Sequence, residues 1–367
     1  MEVLVVDNSA MSIVNGRYCT NSMNGGFVVD IKNEGNDVSY FHFAYSDQSP
    51  IKSFDLQANG IRCVPIKLFK NKLFRYLYAY AKLFIEIAKT DFAYFYYPGS
   101  FKYGTFMCKI LGKRYGLYIR GMQGIDSKLS RRIYKNAYVL FTVSDHFTNM
   151  VNEVVGRKVG NTIRPMIPYT DNDILWDREY FIKDKVRILY LGRVTQDKGM
   201  VELLHAIKIV CDRGYDVVLD IVGDGEFMTQ TNQLMKDLGL EDTVFLRGAI
   251  TDEEIKKQFF VNSDIYILPT WHEGFPRTLY EAMIYGTPII TTFVGGIPAI
   301  MKDAINCVQI QPKSVDSIVD RLIWSINNYD NMKSMAHNGF YTVKKIVDKN
   351  RLTHGQHLSK IIAYGGK

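Results

Sequence analysis

The sequence predicts two α/β units in tandem, each a doubly wound parallel sheet covered by helices. Three observations carry that prediction. The chain has 367 residues, 47% hydrophobic and 23% charged, a length that suits two cores better than one. Short apolar runs alternate with amphipathic stretches, the pattern of strands joined by helical crossovers. The alternation lapses once, in "IRPMIPYTDNDILWDREYFIKDK" from Ile163 to Lys185, which is rich in Pro, Asp and Asn and reads as a boundary. The expected divisions are a unit over 1–168, a linker over 169–184, a second unit over 185–345, and a C-terminal helix over 346–367 packing back toward the first unit.

In the first series, "VLVVD" is a strand ending at Asp7, followed by a long polar stretch, and "NSMNGGFVVDIKNEG" opens a helix at a glycine pair. "DVSYFHFAY" and "IRCVPIKL" read as strands, "NKLFRYLYAYAKLFIEIAKT" as a long helix, and "FAYFYYP" as a strand. A helix near Tyr103 to Leu111 leads to the strands "RYGLYIRG" and "YVLFTVS". The second series runs through the strands "VRILYLGR", "DVVLDIVGDGE", "TVFLRG", "DIYILPT" and "PIITT", with helical stretches between them. Helices near Ser314 to Asn327 and Asp330 to Ala363 close it. In such sheets ligands sit beyond the carboxyl ends of the strands, and two units imply a cleft.

Composition excludes several classes. Five scattered cysteines form no C-x-x-C pair, which argues against a disulfide framework and for a reducing cytoplasm. The N-terminal "MEVLVVDNSA" has an acid where a signal peptide carries basic charge, and no segment approaches the ~20 apolar residues of a membrane span. A net charge of +7 suits anionic partners without choosing among nucleotides, lipids and nucleic acid. The segment from Lys67 to Lys89 interleaves lysines with Phe, Tyr and Leu. That pattern fits a helix on an anionic membrane surface and equally a core helix with solvated lysines.

Three stretches of the second series carry chemistry. "YLGRVTQDKG" ends a strand and brings Arg193 and Lys198 to a helix start, where free N–H groups favour a diphosphate. Two solvated loop charges would read the same. "GDGE" from Gly223 lets the backbone turn closely against a ligand or a neighbouring loop, without the G-x-G-x-x-G spacing of a nicotinamide dinucleotide site. In "HEGFPRTLYEAM", Pro276 is expected to start a helix, leaving Glu273 in the loop and Glu281 on the second turn. The N–H groups of Arg277 and Thr278 would meet an anion, and Glu281 could accept from a diol such as a ribose. Alone, the two acids read sooner as an N-terminal acid stabilising the helix dipole and an exposed helical glutamate. His354 and His357, three apart with no second ligand pair, do not make a zinc site.

In order and spacing, "GRVTQDKG", "VGDGE", "VFLRGAI", "ILPTWHEGFPRTLYEAMIYGTPII" and "GGIPAI" resemble the C-terminal domain of retaining glycosyltransferases of family 4, with the GT-B fold of two Rossmann-like domains facing across a cleft. The resemblance covers Val186 to Ile300, and Glu273 with Glu281 looks like the family's E-x7-E pair. It implies a nucleotide-diphosphate sugar as donor and a saccharide or lipid-linked acceptor, as in bacterial surface polysaccharide synthesis, with no metal, no other cofactor and no nucleic acid. Arg193 and Lys198 would hold the diphosphate, with Gly223 nearby. Ala249 and Ile250 would meet the base, and Glu281 the ribose. Glu273 and the backbone of Gly274, Phe275, Pro276 and Arg277, leading into Thr278 and Leu279, would meet the transferred sugar. Glu273, Arg193 and Lys198 are the catalytic candidates. Gly25 and Gly26 resemble the family's glycine loop and equally a helix-start turn, and Arg120 stands where relatives carry a polar or basic group beside the sugar, a place that suits a structural salt bridge equally well. Ala299 replaces a glutamate common in relatives. The cysteine usage and the basic helix give the expected location, cytoplasmic and, on the membrane reading of that helix, peripheral at the inner face of the plasma membrane. A nucleotide-sugar epimerase of the same architecture and a non-catalytic nucleotide-sugar binder remain open.

Overall fold

The β-branched and aromatic runs of this chain form strands buried on both faces, and the amphipathic stretches between them cover those faces as helices. A computed structural model describes residues 1–46, 52–119, 126–181, 185–273 and 276–364. They divide into two units, Met1–Pro168 with Asn350–Lys367, and Tyr169–Lys349.

The first unit is built on ten strands: β1 (Glu2–Val6), β2 (Met11–Val14), β3 (Arg17–Thr20), β4 (Asp37–Tyr45), β5 (Phe54–Asp55), β6 (Arg62–Ile66), β7 (Phe92–Tyr97), β8 (Arg114–Ile119), β9 (Val139–Thr142) and β10 (Gly160–Thr162). Their order is β10-β9-β8-β7-β1-β4-β2-β3-β5, with β6 also on β4. Its helices are α1 (Ser22–Asn33), α2 (Lys72–Lys89), α3 (Gly104–Ile110), α4 (Lys128–Asn136) and α5 (Asp145–Val155). One core, around Leu4, Phe41, Phe95 and Leu117, lies against α2, α3 and α4. Another, around Val5, Tyr40, Tyr94 and Phe141, lies against α1.

The polar stretch after β1 is not a loop. It holds the antiparallel hairpin β2–β3, closed by Asn15 and Gly16 at φ 50° and 76°, the left-handed pair a two-residue turn requires. The dipeptide Asn-Gly was the available signal, hidden because Arg17 and Tyr18 break the apolar run. β5 pairs antiparallel with β3, so this end of the sheet departs from the expected all-parallel pattern.

The second unit has the strands β11 (Val186–Leu191), β12 (Val217–Val222), β13 (Val244–Gly248), β14 (Ile265–Leu268), β15 (Ile289–Thr292) and β16 (Val308–Ile310), all parallel in the order β13-β12-β11-β14-β15-β16. Its helices are α6 (Met200–Asp212), α7 (Met228–Asp237), α8 (Glu253–Val261), α9 (Arg277–Ile284), α10 (Val315–Asn327) and α11 (Tyr329–Val347). Strand order reverses between β11 and β14, the place where a doubly wound sheet opens its ligand crevice.

Residues 169–184, expected as a linker, belong to the second unit wherever they are described. Arg178 is the reason. Buried there, its guanidinium donates to the carbonyls of Phe260 at 3.0 Å, Tyr285 at 2.7 Å and Ser263 at 2.6 Å, and to Thr287 Oγ1 at 2.9 Å. Charged composition disguised an anchor as a linker. The single helix expected from Asp330 to Ala363 is likewise two, α11 and α12 (His354–Tyr364). The first buries Met332, Phe340 and Val347 in the second unit, and the other buries Leu358 and Ile362 against α1 in the first.

Candidate active site

The loops that follow β11, β12, β14 and β15 meet through their backbones, and glycine permits it. Gly223, at φ 144°, would place a Cβ 1.8 Å from the carbonyl oxygen of Gly192. Gly295, at φ 58°, would place one 1.7 Å from the carbonyl oxygen of Glu273. No larger residue fits at either position without moving the loops. Gly223 therefore seats the "GDGE" turn against the loop of Arg193.

Lys198 lies at the end of a 3₁₀ turn, Gln196–Lys198, just before α6, and is buried. Its ammonium donates to Glu273 Oε1, to the carbonyl of His272 at 3.1 Å and to Thr270 Oγ1 at 3.3 Å. All three ammonium protons have acceptors. Lys198 and Glu273, predicted to hold the diphosphate and the sugar, are thus one half-buried ion pair, across the reversal between β11 and β14. Arg193, one residue beyond Gly192, is exposed and makes no ion pair among the described residues.

Pro276 is the cap residue, with φ −79° and ψ 118°, and α9 begins at Arg277 rather than at the proline. No side chain caps this end, and Leu279 N donates to the carbonyl of Pro276 at 3.3 Å. Thr278 Oγ1 accepts from the Tyr266 hydroxyl at 2.5 Å, fastening the first turn to β14, while Leu279 is fully buried beneath it. Burial first, then neighbouring charges that include Glu281 and Glu273, hold the Tyr266 phenol well above its ordinary range. Gly274 and Phe275 lie outside the described residues.

Glu281 is only 8% exposed, which rules out the exposed-glutamate reading. Burial pushes its carboxyl from the ordinary 4.5 up to about 7, with Glu253 adding to the rise and Lys256 and Arg277 opposing it. Tyr169 donates to Glu253 Oε2 at 2.8 Å, and Lys256 reaches Glu253 Oε1 at 2.5 Å. Sequence reasoning missed this surround of Tyr169, Glu253 and Lys256, because it comes from two segments, Tyr169 and α8, that are distant in sequence from Glu281. Ala249 and Ile250 follow β13, whose last residue, Gly248, accepts from Gly223 N at 2.8 Å, so they stand at the same end of the sheet.

In the first unit, Gly25 and Gly26 are not a loop. Both lie inside α1, capped by Asn21, whose side chain accepts from Asn24 N at 3.0 Å. Gly25 admits the ring of Phe54, 2.2 Å from where a Cβ would stand, whereas nothing lies within 4 Å of one on Gly26. The start of α1 is held instead by buried Asp7, at the end of β1, which accepts from Asn24 Nδ2 at 2.6 Å and from the Tyr40 hydroxyl. The acid ending "VLVVD" was the signal for that clamp. Arg120 lies outside the described residues. Among the described residues no group of three or more His, Cys, Asp or Glu is placed to hold a metal, and no helix is long and apolar enough to cross a membrane.

The family model of glycosyl transferases group 1 matches residues 174–341. An uncharacterised glycosyltransferase of Methanocaldococcus jannaschii is 27% identical over 60% of this chain and 60% of its own. The capsular polysaccharide biosynthesis glycosyltransferase CapM of Staphylococcus aureus is 26% identical over 46% of this chain and 44% of its own. The chain thus spans three-fifths or less of the length of these curated relatives. Among solved structures, Anabaena HepE in complex with UDP and glucose superposes with a TM-score of 0.71 at 17% identity, covering 100% of this chain and 99% of that one. The likeness fixes the fold as GT-B. With the motifs in place on that fold, residues 174–341 are the part of the chain that matches glycosyl transferases group 1.

Proposed function

We propose that this protein transfers a sugar from a nucleotide-diphosphate sugar to a saccharide or lipid-linked acceptor, with retention of anomeric configuration and without a metal ion. The carrying observation is the meeting of Lys198 and Glu273 beside Arg193 at the strand-order reversal, in the loops that lead to α9. Departure of the nucleotide builds negative charge on its diphosphate. Arg193, Lys198 and the N–H groups of Arg277 and Thr278 would stabilise that charge in the transition state, each such donor contributing about 10²-fold or more in rate. Since every Lys198 proton is engaged, diphosphate binding must take one from a present acceptor. The longest bond, to Thr270, is the one to yield first.

Glu273 would then hold the sugar while remaining the partner of Lys198, and Glu281 would accept from the ribose hydroxyls. No protein nucleophile is assigned. The departing phosphate would help take the acceptor proton on the face it leaves. CapM's role in capsular polysaccharide biosynthesis supports a similar setting here, and HepE's bound UDP and glucose make uridine donors the first to try.

The test is incubation of the full chain with a panel of nucleotide sugars, with and without saccharide and lipid-linked acceptors, in chelator. Acceptor-dependent release of nucleoside diphosphate, with an axial or equatorial anomeric bond matching the donor's, is the expected result. A C2-inverted nucleotide sugar formed without acceptor would establish the epimerase instead. Binding without any turnover would leave a non-catalytic binder.

A further inference from the structure

The helix α2 is apolar on two faces. Ala79, Leu83 and Ile87 pack into the first unit's core, as the pattern requires. The opposite face carries Leu73, Phe74, Leu77, Tyr78, Phe84 and Ile85, with Leu73, Phe74 and Leu77 at 67%, 62% and 58% exposure. A helix apolar all round is normally covered on every side. The patch continues at both flanks. Phe69 packs edge-on against Tyr78 with ring centres 5.3 Å apart, and Tyr103, beside Tyr80 at 6.4 Å, leads to exposed Ile110 at the end of α3. Scattered single apolar residues need no explanation, but a contiguous face of this kind marks an interaction surface.

Charge selects the partner. Between Lys67 and Lys89 the only acid is Glu86, which is buried and paired with Arg62 at 2.7 Å and Lys89 at 3.5 Å. Arg75 and Lys82 are turned to backbone, donating to the carbonyls of Phe69 and Pro65. Lys67, Lys70 and Lys72 are exposed at the amino end and make no ion pair among the described residues. The face is therefore apolar with an unneutralised cationic margin. A second copy would bring like charges together, whereas an anionic headgroup layer over acyl chains meets both features.

We propose that α2, with the end of α3, docks this protein on the surface of an anionic lipid bilayer. Phe74, Leu77 and Ile85 enter the boundary between headgroups and acyl chains, and Lys67, Lys70 and Lys72 meet the phosphates. The helix lies in the plane of the surface and does not span it. This inference stands apart from sugar transfer, though a lipid-linked acceptor would be found at the same surface.

The test is flotation of the full chain with vesicles of phosphatidylcholine alone and of phosphatidylcholine with phosphatidylglycerol, at low and high salt. The wild type floats with the anionic vesicles, less so in high salt, and does not float with phosphatidylcholine alone. Replacing Lys67, Lys70 and Lys72 together by Glu, and separately Phe74, Leu77 and Ile85 together by Ser, each weakens binding by at least about tenfold. All six side chains avoid the core, so unchanged thermal unfolding and unchanged UDP-induced stabilisation identify folded variants. Absence of wild-type flotation, or equal flotation of the folded serine variant, overturns the proposal. So does a dimer in solution that the serine variant dissolves without any vesicle binding.

Discussion

Glu281 keeps a carboxyl in a place that disfavours its charge. With its folded value near 7 and its ordinary value at 4.5, the folded chain holds a proton that the unfolded chain releases. Its contribution to stability is present below about 4.5 and is lost as pH rises toward about 7. Binding of a diol asks for the ionised form, which accepts at both oxygens. UDP affinity is therefore expected to rise as pH passes upward through about 7, and Glu281→Gln should lower it about tenfold at higher pH and flatten the profile. Calorimetric titration at several pH values decides this, and an unaltered profile removes the ribose assignment. Glu273→Gln keeps the shape of the Lys198 partner but not its charge, so it should slow transfer about 10²-fold while UDP affinity changes little. Single-turnover kinetics beside binding would separate the two. Gly26→Ala should stabilise the chain by about 0.5–1 kcal/mol, since α1 is helical there and the space is open. Gly223→Ala should destabilise by about 2–5 kcal/mol through its left-hand backbone and the Gly192 carbonyl. Denaturant melts of the pair would test whether these glycines serve packing, and a Gly26→Ala chain no more stable than the wild type would count against the open helical site at Gly26.

At the scale of elements, the segment from Tyr169 to Phe181 acts as a strap. Leu175 N donates to the carbonyl of Ile284 at 2.9 Å and the Tyr180 hydroxyl to that of Gly286 at 3.0 Å, so the strap holds the carboxyl end of α9, the helix whose amino end faces the proposed diphosphate. Arg178 is its central fastening. Arg178→Lys loses the planar fork and leaves buried carbonyls without donors, a loss of about 3 kcal/mol or more, measurable as a lower urea midpoint. An unchanged midpoint would mean that the strap's hydrogen bonds are readily replaced by water. Hydropathy could not announce this segment, because its anchor is a cation satisfied by carbonyls from residues more than 80 positions away. The hairpin β2–β3 escaped notice for a milder reason, its turn being explicit and its strands short.

For the whole molecule, the chain leaves the first unit at Pro168 and re-enters it at Asn350. His354 explains why the return is tight. Its Nε2 lies 2.6 Å from the Tyr94 hydroxyl, and Phe27, Tyr118 and Phe141 surround the ring. Burial holds the imidazole well below its ordinary range, so it stays neutral. Removing residues 350–367 would uncover the α1 side of that core. The truncated chain is expected to unfold at lower temperature in a thermal melt, since the α1 side of the first core loses Leu358 and Ile362. Equal melting of truncated and full chains would show that α12 contributes nothing to the first core.

Local chemistry in the sequence determined the two α/β series, the parallel second sheet, and the loops that carry Arg193, Lys198, Glu273 and Glu281, because strand and helix periods and the motif spacing are written in consecutive residues. It also held the apolar and basic pattern of α2. Only the tertiary structure decided that Lys198 and Glu273 are one ion pair, that Glu281 is buried among Tyr169, Glu253 and Lys256, that Gly25 serves Phe54, and that α2 leaves its second apolar face uncovered. Each of these depends on which distant residues share a place. Burial and pairing energies are set there, between segments that no window of sequence contains.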